Sequence, residues 1–566
     1  MKQAIGAVVG VVVAALVAPL IQPWFHVPTG GVGLVTVANY PKGWDYAVVA
    51  LLFVCAVAFA APFSSPPLPP ASGRRRAWPE LALLVFALMF LVHDHPYVVM
   101  DPFHEGEHLT PGFLMRDGAR PYRDVFLLHG LAIDGGLDAL ILGDPPSPLR
   151  MRRAQTILDA ATLALLVPIA AEVTATGGGL AIAVLLAICA IGAGQVPVFP
   201  YHRLLPLVLA TLGLLRYART GRARALLLAF LASTLGLLWG LDTGSYALAG
   251  TVIAFVLIRK PLPLPRLALI AAIAIAAPLV VLLIVRADIR QFFVDSFITI
   301  PRAIDAVWAR PAPDDWKSGE ALRYYLPPAF YGFLLAMAFG AWRRGDRARA
   351  AQLTIVAVLS IVAFRTAAGR VSWSHTRFAT PFVGIAIVAF VLEPLVLAKR
   401  RIVALVLAIP LVFYLELVPN VATGAKLIAG WSARQRHDGM VRYRGVWMSP
   451  DNAQTIATLK TFIDALGPAN APIFDFSNER ALYYLLRRRP SSRCFDVPML
   501  SSPVLRAEAM RELSAKPPVG VIVEGDPAVF GFDGVSNRDR VPELAAWIDA
   551  NYPKKTQIGR FVVASR

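Results

Sequence analysis

Residues 4–22 read AIGAVVGVVVAALVAPLIQ, a stretch without a charged side chain and close to the ~20 apolar residues a helix needs to cross the hydrocarbon of a bilayer. Such stretches recur along most of the chain. A hydropathy window places about thirteen, near 4–22, 46–62, 79–99, 154–171, 179–196, 204–217, 225–239, 245–258, 267–285, 327–342, 351–367, 378–397 and 401–418. The chain has 566 residues, 57% hydrophobic and 16% charged, which is more apolar surface than a water-soluble core can hide. Lipid offers no partner for backbone polar groups, so the spans must be helices. An α-helical polytopic membrane protein is expected, with 204–217 and 245–258 short enough to be tilted, broken or re-entrant.

A formal charge of +18 is compatible with nucleic acid, but the placement of the basic residues argues against it. With the N-terminus in the cytoplasm, alternate short loops carry Arg74-Arg75-Arg76, then Arg216, Arg219, Arg222 and Arg224, then Arg259-Lys260, then Arg343, Arg344, Arg347 and Arg349, then Lys399-Arg400-Arg401. That is the positive-inside pattern, and it sets the orientation. Residues 1–62 form an N-terminal transmembrane helix pair, kept as an anchor. Residues 63–78, with SSPPLPPASGRRR, form a Pro-rich, basic cytoplasmic linker. Residues 79–418 form a transmembrane module with long outer loops at 98–153 and 286–326, where function tends to concentrate. Residues 419–566 turn charged and alternating, and read as a small α/β domain outside the cytoplasm. Its strands are expected at 471–478, 518–524 and 560–565, and its helices at 479–488, 503–514 and 540–550. Cys55 and Cys189 fall in spans and Cys494 stands alone, so no disulfide framework is visible.

The first outer loop gathers His93, Asp94, His95, Asp101, His104, Glu105, Glu107 and His108 at the mouth of the third span. Ionisable groups at that depth are expensive and mark a functional site by default. Within it, HEGEH (104–108) satisfies H-E-x-x-H, the zinc-protease pattern. That reading needs His104 and His108 on a regular helix and a third ligand. Gly106 sits at the centre, Thr110-Pro111 is expected to end the helix after about two turns, and no partner motif supplies the third ligand.

The residues that follow, GFLMRDGARPYRDVFLLHG (112–130), resemble the first periplasmic loop of bacterial GT-C superfamily membrane glycosyltransferases of the family 39-like kind. In that family an acidic pair is followed by an amphipathic segment, a glycine, a proline and Tyr-Arg-Asp; here these are HEG (104–106), Gly118, Pro121, Tyr122, Arg123 and Asp124. The match covers about 35 residues well, a count read by eye against the pattern. Two departures stand out: His104 replaces the usual aspartate, and two helices precede the loop-bearing span. The resemblance implies a GT-C-like fold and a donor of polyprenyl-phosphate-linked sugar. It also implies a glycan or lipid-linked acceptor, and action at the periplasmic face of a bacterial inner membrane. Some members use a divalent cation and others do not, and no metal is assigned here.

Transfer of a sugar from a polyprenyl phosphate needs a carboxylate to take the acceptor proton. Glu105 or Asp101 is the expected base, with Asp124 as a second carboxylate, although Glu105 and Glu107 can also be read as solvating a helix end. It also needs positive charge for the leaving phosphate, which arginine grips with two hydrogen bonds. Arg370, His375 and Arg377 in GRVSWSHTR (369–377) and His202-Arg203 in PYHRLLP (200–206) are the candidates; snorkelling to the interface explains Arg203 or Arg377 as well. His104, Tyr122, Arg123 and Asp242 are expected around the acceptor or the loop, Arg123 through pairing with Asp124 or Asp101. Asp242 in LWGLDTGSY can equally cap a glycine turn. QFFVDSFITIPRAIDAVW (291–308) reads as an interfacial helix over a groove for the prenyl chain. The competing classes are the zinc membrane protease, a non-catalytic scaffold and a transporter or flippase of lipid-linked glycan. A transporter would be expected to show internal repeats.

Overall fold

The computed structural model describes residues 2–27, 40–63, 78–94, 99–141, 148–195, 200–258, 260–308 (backbone alone for 305–308), 310–313, 318–436, 439–524 and 535–566. The linker arginines Arg74, Arg75 and Arg76, and His95 of the first loop, lie outside them.

Each apolar stretch contains a helix. α1 (Lys2–Ile21) and α2 (Gly43–Ala60) form the N-terminal pair, followed by α3 (Trp78–His93). α3 stops short of the expected residue 99 because its end is tied down: His93 Nε2 meets Ala193 O at 3.0 Å, and Trp431 donates to Asp94 at 3.2 Å. The first outer loop folds into α4 (Gly106–Arg116) and the short α5 (Leu137–Ile141). α6 (Pro148–Ala164) and α7 (Leu166–Val173) make one span of 26 residues, and α8 (Gly177–Ala190), α9 (Leu205–Thr220), α10 (Ala223–Trp239), α11 (Leu241–Ile258) and α12 (Leu264–Ile284) follow. α9 and α11 cover the two short stretches as unbroken helices. The second outer loop carries α13 (Ile289–Val294) and α14 (Ile300–Trp308), joined by a π-turn. α15 (Gly319–Arg343), α16 (Arg347–Ala363), the short α17 (Arg365–Gly369) and α18 (Trp373–Phe378), then α19 (Val383–Ile387) and α20 (Glu393–Leu397), lead to α21 (Arg401–Tyr414) and α22 (Leu417–Ala429).

Among the described residues six helices are long and apolar enough to cross a membrane, seven if α21 and α22, bent by 56°, count as one. α3, α8, α10 and Val383–Leu397 are apolar but shorter. The number falls below the expected thirteen chiefly because several stretches fold as shorter helices: α3 and α9 have 16 residues, α8 has 14 and α10 has 17. Leu16, Val54, Leu83, Ile275, Leu283 and Leu405 face outward, as suits a surface solvated by acyl chains. The N-terminal pair is packed onto the bundle: a Cβ at Gly332 of α15 would run into Phe53 O of α2.

The C-terminal region holds a hairpin of β1 (Val441–Tyr443) and β2 (Val446–Met448) and a sheet of β3 (Phe474–Phe476), β4 (Val521–Glu524), β5 (Lys554–Ile558) and β6 (Phe561–Ser565) in the order β3-β4-β6-β5. β3 and β4 are parallel, with Phe474 opposite Val521, and the other pairs are antiparallel. The three expected strands are present; β5 was illegible because KKTQI carries no apolar alternation, as an edge strand often does not. Phe474, Phe476, Val521, Leu505, Leu513, Leu544 and Ile548 form the core between the sheet and the helices Pro503–Ala515 and Pro542–Asn551.

This domain is interleaved with the first outer loop. Ala481 N donates to Pro102 O at 3.0 Å, Phe126 N to Arg493 O at 3.0 Å, and Thr110 Oγ1 to Arg480 O at 2.7 Å. Asp295, within the stretch 291–308 expected as an interfacial helix, is fully buried and paired to Arg493 of this domain at 2.7 Å.

Candidate functional site

The site is built on α4 and the turn that follows it. α4 begins at Gly106, so His104 lies in the turn before the helix and does not share a helical face with His108. Pro111 does not end the helix, which continues to Arg116. It sits in the second turn, where its missing N–H costs a single bond, to the Glu107 carbonyl, while Leu109 and Leu114 bury the helix's apolar side. Two glycines make the assembly possible. A Cβ at Gly106 would run into the amide of Ala481, and one at Gly135, whose φ is +99°, would collide with Gly112 N and His108 O.

The expected loop carboxylates go separate ways. Asp101 is half exposed and caps its own turn, its Oδ2 2.6 Å from His104 Nδ1. Burial works against a charged His104, but Asp101 raises its pKa above the ordinary value. Glu105 is gripped by both arms of Arg152 on α6, at 2.5 and 2.6 Å, and is turned to the membrane module. Asp124 accepts from Arg120 N at 2.8 Å and lies 3.8 Å from Arg123, with both side chains about half exposed. It lines a separate cleft of about 370 Å³ with Arg489, Arg493 and Lys516. Tyr122 takes a left-handed φ of +66° and buries its ring against Phe292, so it packs the loop.

Of the two glutamates of HEGEH, Glu107 is the one that turns to the α/β domain. Its partner is Arg480, 3% exposed, which also donates to Asp496 at 2.7 Å and lies 4.0 Å over the Phe103 ring. Burial alone would raise the Glu107 pKa, but Arg480 and then His129, His108 and His104 bring it down to about 2. Beside it His129 meets Asp134 twice: its backbone N–H donates to Oδ2 at 2.6 Å, and Nδ1 lies 3.0 Å from Oδ1. Burial opposes the charge on His129, yet Asp134 and Glu107 raise its pKa. An Nδ1–H given to Asp134 leaves Nε2 as a proton acceptor, the arrangement that suits general-base work near neutral pH. His108 Nδ1 is taken by Ile133 O. Among the described residues no three His, Cys, Asp or Glu side chains stand where they could hold a metal ion together.

The basic candidates divide into two groups. Arg203 donates to Asp242 at 2.7 Å, so Asp242 is an ion-pair partner at the first turn of α11. The charges of Asp134 and Glu107 reach Arg203, and those of Arg370, Arg203 and Asp242 reach His375, whose Nδ1 lies 2.6 Å from Ser372 Oγ. Arg203 and Asp242 thus lie within electrostatic reach of the His129–Glu107 cluster, and His375 and Arg370 lie near Arg203 and Asp242. Arg377 belongs elsewhere: it pairs with Glu416, which Arg323 also meets at 3.0 Å, and it stacks over Trp373. His202 is 1% exposed and spent on Asp159 at 2.7 Å and on its packing against Trp239. Sequence reasoning did not single out His129, Asp134, Arg480 or Asp496. The signal was present in LLHGLAIDGG, a histidine five residues before an aspartate with glycines at 130 and 135, both of which adopt positive φ.

No protein-family model matches the chain, and no curated protein matches it. Among solved structures it is similar to ArnT from Cupriavidus metallidurans, crystallised in the apo state, at 13% identity and a TM-score of 0.42, covering 86% of this chain and 97% of that one. The likeness is loose, and the functional reading stands on the geometry of the site.

Proposed function

We propose that this chain is a membrane glycosyltransferase that moves a sugar from a polyprenyl-phosphate donor to an acceptor hydroxyl. It would act at the periplasmic face of a bacterial inner membrane, with the N-terminus in the cytoplasm and the α/β domain outside. The acceptor oxygen attacks the anomeric carbon and gives its proton to His129 Nε2, with Asp134 holding the ring. The bond from the anomeric carbon to the phosphate oxygen breaks, and the polyprenyl phosphate leaves with the electron pair. Its charge is met by Arg203, with Arg370 and His375 beside it. Glu107, kept ionised by Arg480, steadies the developing imidazolium. The base therefore moves from the expected Glu105 or Asp101 to the histidine backed by Asp134, because Glu105 is held by Arg152 and Asp101 caps its own turn.

The observation that supports this reading is the histidine–carboxylate cluster, in which a buried Asp134 holds His129, with Arg203 within reach of its charges. Preorganised charge of this kind is the usual largest contribution to transfer chemistry. The test is to incubate purified protein with a panel of polyprenyl-phosphate sugars and acceptor lipids and measure free polyprenyl phosphate. At least one donor is expected to be turned over by the parent and only slowly by His129→Asn. Equal turnover by both would overturn the assignment.

A further inference from the structure

α9 and α10 are joined by a tight turn at the end of the bundle away from the site. Gly221, at φ +67°, closes α9 with its N–H on Tyr217 O at 2.8 Å, and the chain folds back into α10. Arg216, Arg219, Arg222 and Arg224 stand around that bend and, with Trp78 and Glu172, line a cleft of about 440 Å³. Glu172, 7% exposed, meets Arg219 at 2.8 and 3.0 Å and lies 3.8 Å from Arg216. Four guanidiniums against a single carboxylate leave the cleft strongly cationic. Among the described residues no carboxylate lies within 4 Å of Arg222 or Arg224. α9 starts two residues after Arg203, and its 16 residues at ~1.5 Å each put the cleft about 24 Å from the site.

Topology alone does not demand this arrangement. The α15–α16 turn at the same end is equally basic, yet Arg343 lies 5.8 Å over Phe339 and Arg347 4.9 Å over Trp342, on the surface. A concave cluster of like charge costs repulsion that an anion relieves. Arginine's planar fork fits phosphate oxygens, basic pockets between spanning helices take phospholipid head groups, and tryptophan favours the lipid interface.

We propose that this cleft binds a phosphate group, presented as the head group of an anionic phospholipid of the adjoining leaflet and separate from the reacting donor. The inference rests on the membrane reading and needs no step of the sugar transfer. The test reconstitutes the full chain in phosphatidylcholine nanodiscs containing a minor fraction of phosphatidylglycerol and counts co-purified phosphatidylglycerol by native mass spectrometry. The Arg222→Ala/Arg224→Ala double variant is expected to retain roughly ten- to thirty-fold less. Arg222→Lys/Arg224→Lys should retain most of it, and Arg343→Ala/Arg344→Ala should match the parent. Equal losses in the two alanine double variants would reduce the cleft to general surface charge and overturn the proposal. So would unchanged retention in Arg222→Ala/Arg224→Ala. In a second arm inorganic phosphate is titrated against the lipid; displacement at low millimolar concentration would assign a free anion and overturn the lipid source. Turnover of a sugar donor is not read, so this inference and the proposed function fail independently.

Discussion

Glu105 and Glu107 lie two residues apart in the same loop, yet one belongs to the membrane module and the other to the α/β domain. Glu105 turns to Arg152 on α6, and Glu107 turns to Arg480, which arrives from the loop after β3. The start of α4 at Gly106 lies between them and points successive side chains apart. The C-terminal domain thereby supplies the cation that holds Glu107 ionised near His129.

The sharpest way to break this comparison is to remove the group on the Glu107 side that is assigned to chemistry. His129→Asn is expected to lower turnover by about a hundred- to ten-thousand-fold, while Glu105→Gln changes it only a few-fold. Comparable losses would erase the distinction. Next in size, Arg203→Ala should lower turnover by about a hundred- to a thousand-fold, the scale for removing one charge-stabilising group. Arg377→Ala should act on stability through Glu416 and leave the rate per folded molecule nearly unchanged.

The two ion pairs should also differ in stability. Arg480 is 3% exposed and pairs with two carboxylates, so Arg480→Ala, which leaves Glu107 and Asp496 without their partner, should cost about 3–5 kcal/mol in thermal or denaturant unfolding. Arg152→Ala, at a pair 13% and 18% exposed, should cost about 1.5–3 kcal/mol. The smallest effect is on pH. Burial lifts Glu479 from an ordinary 4.5 to about 8, with Arg560 pulling back and Asp475 pushing further. In the folded state Glu479 keeps its proton where the unfolded chain has lost it, so this group makes stability fall as pH rises from about 4.5 to about 8. Glu107, lowered to about 2, works in the opposite sense, and its contribution is lost only as pH falls from 4.5 towards 2. Melting temperatures between pH 5 and 8 should therefore fall for the parent, and the slope should flatten in Glu479→Gln; an unchanged slope would remove Glu479 as its source.

Much of the architecture was legible because lipid imposes simple rules. Long apolar runs had to be helices, and the short apolar runs in APIFDFSN, PVGVIVE and RFVVAS marked three of the strands. The first loop was legible as a site by its crowding of ionisable groups. Which of those groups meet was not, since pairing depends on contacts between residues far apart in the chain: Arg480 to Glu107 across 373 positions, Arg493 to Asp295 across 198, Arg203 to Asp242 across 39. Arg203 and Arg377 looked alike beside their spans, and only packing separates the arginine facing Glu107 from the one held by Glu416. Pro111 misled for a local reason, because a proline in the second turn removes too little to end a helix whose apolar side is buried.

The most direct measurement is photo-cross-linking with a polyprenyl-phosphate sugar bearing a diazirine beside the phosphate, followed by peptide mapping. If the donor phosphate lies opposite the His129–Glu107 cluster, label should fall on the peptides containing Arg203 and residues 370–375, and excess unlabelled donor should compete it away. Label confined to the Asp124 cleft or to the Arg216–Arg224 turn would contradict the account.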